Sequence, residues 1–126
     1  MAQLGIVGGG VMGEVLARSA TESGVFRPND VCVIDHNTRK LERLQQSTGV
    51  LVSTNIEEVK SAGIILLAIK PDNVPEILRS LSQFTTRDQV LISIVAGIPL
   101  DFMASFFQEK KSMIRVMTNT PCLVRQ

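Results

Sequence analysis

Three glycines near the start of the sequence have the spacing of a phosphate-binding turn. Gly8, Gly10 and Gly13 form the pattern G-x-G-x-x-G between a short apolar run and an amphipathic segment. Strand, tight turn and helix in that order bring backbone N–H groups and the positive end of the helix dipole to one point. Gly8 would allow the sharp bend, Gly10 the approach of a pyrophosphate, and Gly13 close packing of the helix on the strand. The pattern favours a dinucleotide site over a ligand-free glycine-rich turn. The residues predicted to line it are Gly8, Gly9, Gly10, Val11, Met12 and Gly13.

An acidic residue follows the second predicted strand, Val31–Ile34. Asp35 stands roughly 20 residues after the last glycine of the turn, the spacing of a carboxylate that binds the adenosine ribose hydroxyls. That role favours NAD and repels a 2′-phosphate, whereas Arg39 nearby could bind such a phosphate. His36 and Asn37 are predicted to belong to the same site. The alternative is that Asp35 and Asn37 only cap the next helix, and both NAD and NADP stay open.

Small and polar residues follow the later predicted strands. Because the carboxyl ends of parallel strands form one binding edge, these residues are expected at the same site. Lys70 is either a ligand contact or a surface charge, and Asn119 with Thr120 either orients a ligand or forms a turn. The residues concerned are Ala68, Ile69, Lys70, Pro71, Ala96, Gly97, Asn119 and Thr120.

Strands and helices alternate along the whole sequence. The predicted strands are residues 4–7, 31–34, 50–52, 63–69, 90–95 and 113–117. The segments between them carry apolar residues at helical spacing, with a brief helix predicted over 56–61. This alternation predicts an α/β fold: a doubly wound, Rossmann-type, mostly parallel sheet with right-handed crossovers, in one domain over residues 1–126.

Composition narrows the class of protein. The 126 residues are 44% hydrophobic and 20% charged, with a net charge of +1, which predicts a globular domain without a nucleic-acid or acidic-membrane partner. No window approaches the ~18 apolar residues of a membrane span. The first predicted strand starts almost at once, so no leader is expected, and a cytoplasmic location is favoured with a mitochondrial one left open.

Few side chains could carry out chemistry by themselves. His36 is the single histidine, and Cys32 and Cys122 lie far apart, which predicts reduced thiols and no metal site. There are no paired carboxylates and no activated nucleophile, so no catalytic residue is assigned. The chemistry is therefore expected to belong to a cofactor, which the protein binds and orients.

Four stretches of the sequence together resemble pyrroline-5-carboxylate reductases. They are residues 8–13, 68–71, 93–98 and 115–121, in matching order and spacing over about residues 3–125. The first stretch is shared with many β-hydroxyacid dehydrogenases, whereas Ala-Ile-Lys-Pro and Met-Thr-Asn-Thr-Pro are much more specific. The resemblance implies hydride transfer from NAD(P)H to the C=N carbon of a cyclic imine, the last step of proline synthesis.

The resemblance also implies roles for particular residues. Residues 8–13 would hold the pyrophosphate, and Asp35 and Asn37 would lie near the adenosine ribose. Asn55 matches a cofactor-contacting asparagine of the family, and residues 68–71 with 96–97 would line the nicotinamide side. Relatives often have arginine or serine where this sequence has Asp35 and His36, which is a departure from the pattern expected for NADP.

Length is the larger departure from the family. Its chain continues into an all-helical domain that forms the dimer and most of the imine pocket, and the present sequence ends at Gln126. We expect a cofactor domain that is inactive and monomeric alone, although full-length members are homo-oligomers. A non-catalytic dinucleotide-binding module or partner subunit is the alternative. A hydroxyacid dehydrogenase is a weaker third reading, because it would need a lysine or histidine acid/base in a substrate domain.

Overall fold

Short runs of Leu, Ile and Val alternate with amphipathic segments in the residues that the computed structural model describes, 3–108 and 111–116. The runs form the strands β1 (Leu4–Val7), β2 (Val31–Ile34), β3 (Leu51–Ser53), β4 (Ile64–Leu67), β5 (Val90–Ser93) and β6 (Ser112–Arg115). The helices are α1 (Val11–Glu22), α2 (Thr38–Thr48), α3 (Val74–Ser82) and α4 (Leu100–Ala104). Single 3₁₀ turns occupy Pro28–Asp30, Ile56–Val59 and Pro71–Asn73.

All neighbouring strands pair in parallel, in the order β3-β2-β1-β4-β5-β6. This order confirms the predicted doubly wound sheet. The chain proceeds outwards from β1 in one direction through β2 and β3, and in the other through β4, β5 and β6. The last residue of β1, Val7, lies opposite Ile34 in β2 and Leu67 in β4. The turns after these three strands therefore start at one level, at the point where the strand order reverses.

Helices cover both faces of the sheet and create two apolar clusters. On one face α1 and α2 pack on the sheet around Ile6, Val33 and Leu44. On the other face α3 and α4 pack around Leu67 and Leu78. β1 and β2 are buried along their whole length, as expected for parallel strands covered on both sides. No helix of the described residues has the length and apolar character to cross a membrane.

The structure differs from the sequence predictions mainly at the ends of elements. β3 begins one residue later than predicted, and β4 is shorter than its apolar run because it pairs residue for residue with the four residues of β1. β5 ends at Ser93, where the hydroxyl Oγ accepts a hydrogen bond from the Val95 N–H at 3.1 Å and turns the chain. β6 begins at Ser112 and ends at Arg115, and residue 117 of its predicted range lies outside the described residues. The brief helix predicted over 56–61 is the 3₁₀ turn Ile56–Val59.

Candidate functional site

A cavity of about 470 Å³ opens where the carboxyl ends of β1, β2 and β4 meet. Its walls come from the glycine turn after β1, the loops that follow β2, β3 and β4, and one side of α3. The lining residues are Val7, Gly8, Gly9, Gly10, Ile34, Asp35, His36, Lys40, Thr54, Ile56, Ala68, Ile69, Lys70, Asn73, Glu76, Ile77 and Ser80. The cavity thus lies at the switch point of the sheet, where open α/β sheets bind ligands.

The glycine turn has two positions fixed by packing and one that faces open space. Gly8 has a φ of +116°, and a Cβ there would overlap the carbonyl group of Ala68. A Cβ at Gly13 would overlap the carbonyl oxygen of Gly8, so α1 lies as close to the turn as backbone allows. A Cβ at Gly10 would meet nothing within 4 Å. Close backbone contacts at Gly8 and Gly13 therefore fix the turn, whereas the space beside Gly10 is open to a ligand.

The start of α1 supplies hydrogen-bond donors beside this free space. Gly10 is the N-cap and has no side chain, so no capping side chain accepts from the first N–H groups of the helix. Such unpaired donors and the helix dipole together attract phosphate. Val11 and Met12 do not line the cavity, and Val11 is 83% exposed. Their predicted contribution is thereby limited to backbone N–H groups.

Asp35 joins two of the loops that form the cavity. Its Oδ2 accepts a hydrogen bond from the Gly9 N–H at 2.9 Å, and its Oδ1 accepts from the N–H groups of His36 and Asn37 at 2.6 and 3.4 Å. A Cβ at Gly9 would lie 2.8 Å from that Oδ2. Asn37 is the N-cap of α2, with Oδ1 accepting from the Lys40 N–H at 3.1 Å. Capping therefore belongs to Asn37, whereas the Asp35 carboxylate lines the cavity and fixes the glycine turn.

Other predicted residues lie away from the cavity wall. Asn55 Oδ1 accepts from the Glu57 N–H at 3.0 Å and so caps a 3₁₀ turn. Pro71, Ala96 and Gly97 are exposed and do not line the cavity. Asn119 and Thr120 lie outside the described residues. The structure thus brings together eight of the predicted residues, namely Gly8, Gly9, Gly10, Asp35, His36, Ala68, Ile69 and Lys70.

One wall of the cavity was missed by the sequence reasoning although its pattern is regular. Asn73, Glu76, Ile77 and Ser80 repeat at i, i+3, i+4 and i+7, which places them on one side of α3. This spacing, read together with the switch point, would have found them. Lys40 was also missed, because the residue of the first turn of α2 that faces a ligand depends on where the helix starts.

The charges around the cavity are balanced. Lys40 and Lys70 oppose Asp35 and Glu76 in its lining. Among the described residues the recorded ion pair is the surface pair of Arg18 and Glu14, so these four are not paired with one another. Within residues 3–108 and 111–116 no group of His, Cys, Asp and Glu is placed to hold a metal ion. The cavity therefore offers a polar ligand side-chain charges of both signs.

The one cysteine within the described residues is not a nucleophile of this site. Burial, with a smaller contribution from Glu58, raises the pKa of Cys32 to about 11. The thiol stays protonated in a buried strand, so it behaves as a small apolar side chain. Cys122 lies outside the described residues.

A parallel doubly wound sheet with this glycine turn at its switch point defines a Rossmann-type α/β domain. Residues 3–97 match a protein-family model described as "NADP oxidoreductase coenzyme F420-dependent", and the chain belongs to this family.

Relatives refine this assignment. The chain is 33% identical to pyrroline-5-carboxylate reductase of Arabidopsis thaliana over 97% of the chain and 44% of that relative. It is 30% identical to the Escherichia coli enzyme of the same name over 97% of the chain and 46% of that relative. The resemblance inferred from the four motifs is thus confirmed, and the chain spans less than half the length of these curated relatives.

Solved structures agree with this fold. A pyrroline-5-carboxylate reductase from Coxiella burnetii matches 98% of the chain and 46% of its own with a TM-score of 0.89 at 24% identity. A pyrroline carboxylate reductase from Plasmodium falciparum, solved with NADP bound, matches 98% and 44% with a TM-score of 0.79 at 25% identity.

Proposed function

We propose that the chain is the NAD(P)H-binding part of a pyrroline-5-carboxylate reductase, an oxidoreductase that converts the cyclic imine to proline. The observation that carries this proposal is the glycine turn at the switch point, packed at Gly8 and Gly13 and open at Gly10. The proposal is further supported by relatives of that name, which match nearly all of the chain.

The residues around the cavity fit the cofactor. The N–H groups at the start of α1 would bind the pyrophosphate, and the free space above Gly10 would receive it. The Asp35 carboxylate would accept from a ribose hydroxyl, and residues 68–70 would lie beside the nicotinamide half. When bound, the reduced nicotinamide supplies the hydride for the C=N bond. The contribution of this chain is to bind and orient that group.

Titration calorimetry of NADH and NADPH into the chain tests the cofactor role. We expect Gly10→Val to abolish binding of both, because its side chain would occupy the pyrophosphate space. Gly63→Val is the matched control, since a Cβ at Gly63 has its nearest neighbour at 3.9 Å, the Gln3 carbonyl oxygen, and Gly63 does not line the cavity. The proposal fails if the wild-type chain binds neither nucleotide, or if Gly10→Val binds as well as the control.

A second assay addresses the reductase activity. Hydride transfer requires donor and acceptor carbons held within roughly 3–3.5 Å, which demands a wall that grips the imine. The cavity's cations, Lys40 and Lys70, line the proposed cofactor side. We therefore expect residues 1–126 alone to bind cofactor without oxidising it when the imine is added, as followed by nicotinamide absorbance. Robust turnover would show instead that the imine pocket is built within these residues.

A further inference from the structure

Two side chains of opposite charge line the cavity where β2 leads into α2. Asp35 is held by backbone N–H groups of three residues, at 2.6 to 3.4 Å. Lys40 stands in the first turn of α2, and its own N–H is bonded to the N-cap Asn37. Hydrogen bonds therefore hold the Asp35 carboxylate and the backbone from which Lys40 extends, and both residues line the cavity.

The neighbouring cation is placed differently. The sequence suggested a phosphate contact for Arg39. Arg39 and Lys40 are both exposed, but only Lys40 lines the cavity. Consecutive residues of a helix point about 100° apart, and in this structure Lys40 lines the cavity whereas Arg39 does not. The start of α2 at Thr38 selects Lys40.

Lys40 has no carboxylate partner within the part of the chain that the structure describes. The ion pair recorded there joins Arg18 to Glu14 at 3.6 Å, and the Asp35 oxygens are bonded to backbone N–H groups instead. A lysine ammonium is a compact point charge that binds phosphate well. The ammonium of Lys40 is therefore available to an anionic group at this end of the cavity.

We propose that Lys40 gives the site its affinity for NADPH by pairing with the 2′-phosphate, and that Asp35 opposes it. A carboxylate repels a phosphate in a partly desolvated cleft, whereas it accepts hydrogen bonds from the free hydroxyls of NADH. The two charges offset each other, so the chain accepts both nucleotides. This inference rests on the proposed cofactor function and identifies the residue that decides the form of cofactor.

The test compares two variants that remove the same charge from adjacent residues. Dissociation constants are measured for NADPH and NADH with the wild-type chain, Lys40→Gln and Arg39→Gln. We expect Lys40→Gln to weaken NADPH about tenfold, which corresponds to ~1.4 kcal/mol, and to leave NADH within about twofold. Arg39→Gln should leave both within about twofold. Adenosine 2′,5′-bisphosphate and AMP, used as smaller probes, should reproduce the difference without the nicotinamide half.

The possible results distinguish failure of the Lys40 proposal from failure of the proposed cofactor binding. Equal losses in Lys40→Gln and Arg39→Gln, or no loss of NADPH in Lys40→Gln, overturn the role of Lys40. An equal loss of NADH and NADPH in Lys40→Gln also overturns it, because the lysine would then not distinguish the 2′ position. A wild-type chain that binds neither nucleotide refutes the cofactor function itself. Asp35→Ser provides the opposite arm and should shift the ratio of dissociation constants towards NADPH.

Discussion

The two halves of the binding edge differ in how their loops are held. Around β1, β2 and β4 the loops interlock: the Gly9 N–H is bonded to Asp35, and the Ala68 N–H donates to the Val7 carbonyl at 2.9 Å. After β5, Ala96 and Gly97 are exposed, and a Cβ at Gly97 would meet no atom of the described residues within 4 Å.

This difference separates two reasons for a glycine at a strand end. In the interlocked half, Gly8 and Gly13 are required because neighbouring backbone leaves no space for a side chain. In the other half, Gly97 is required only by its φ of +78°. The loops of the interlocked half are consequently held by contacts with one another. After β5, Val95 is buried in the core, whereas Ala96 and Gly97 are exposed.

The largest effect should come from filling the tightest contact of the interlocked half. Gly13→Ala places a methyl group against the Gly8 carbonyl and forces α1 away from the turn. We expect the free energy of unfolding to fall by about 3 kcal/mol, as for other overpacked sites. Urea unfolding measures it, and a loss no larger than that of Gly97→Ala would show that the two halves are packed alike.

Hydrogen bonds hold the β5 half of the sheet at the amino ends of the strands, opposite the cavity. Gln89, which is 5% exposed, donates from Nε2 to the carbonyls of Lys60 and Ala62 at 3.0 and 2.6 Å and accepts from the Thr86 N–H at 2.9 Å. Gln89→Ala leaves these groups unpaired and should lower the free energy of unfolding by about 2 kcal/mol.

Two measurements complete the Gln89 test. Nucleotide affinity should stay unchanged in Gln89→Ala, because the residue lies far from the cavity along the strands. The exposed Gln83→Ala serves as a matched control and should leave the free energy of unfolding within about 0.5 kcal/mol of wild type. If Gln89→Ala folds but no longer binds nucleotide, the amino ends of the strands around Gln89 are coupled to the cavity at their carboxyl ends.

A smaller effect is expected at the loop after β5. Gly97→Ala meets open space, so only the left-handed backbone conformation opposes it, and we expect a loss of about 1 kcal/mol. AMP affinity should not change, since Gly97 does not line the cavity. A weakened AMP complex would place this loop in the adenosine site and remove the distinction between the halves.

An effect of about the same size, which depends on pH, concerns the buried thiol of β2. Burial raises the pKa of Cys32 from 9.0 to about 11, so the folded state favours the neutral thiol. The contribution of the neutral Cys32 thiol to the free energy of unfolding is complete below pH 9 and is lost as the pH rises towards 11. Between pH 8 and pH 10 we expect the free energy of unfolding to fall by about 1 kcal/mol more in wild type than in Cys32→Ala. Equal pH dependence of the two proteins would contradict a buried thiol.

Patterns that are local in sequence predicted the fold and the packed half of the site. Strand and helix periodicity gave the order of the elements, and the glycine spacing with Asp35 gave the turn and the residue that lines the cavity beside it. What the sequence could not decide depends on orientation. Whether Arg39 or Lys40 faces the cavity is set by the helix start, and whether Ala96 and Gly97 reach a ligand is set by what packs beside their loop. The roles of the site residues towards a cofactor stay predictions.

The hydrogen bond from the Gly9 N–H to Asp35 has a consequence for redesigning cofactor preference. In the proposed site, changing Asp35 would alter the charge near the 2′ position of the cofactor. It would also remove the acceptor of the Gly9 N–H, so selectivity and overall affinity would change together. Lys40 contributes no side-chain hydrogen bond to that turn among the described residues. An engineer who wishes to move this chain between NADPH and NADH should therefore begin at Lys40 and leave the carboxylate in place.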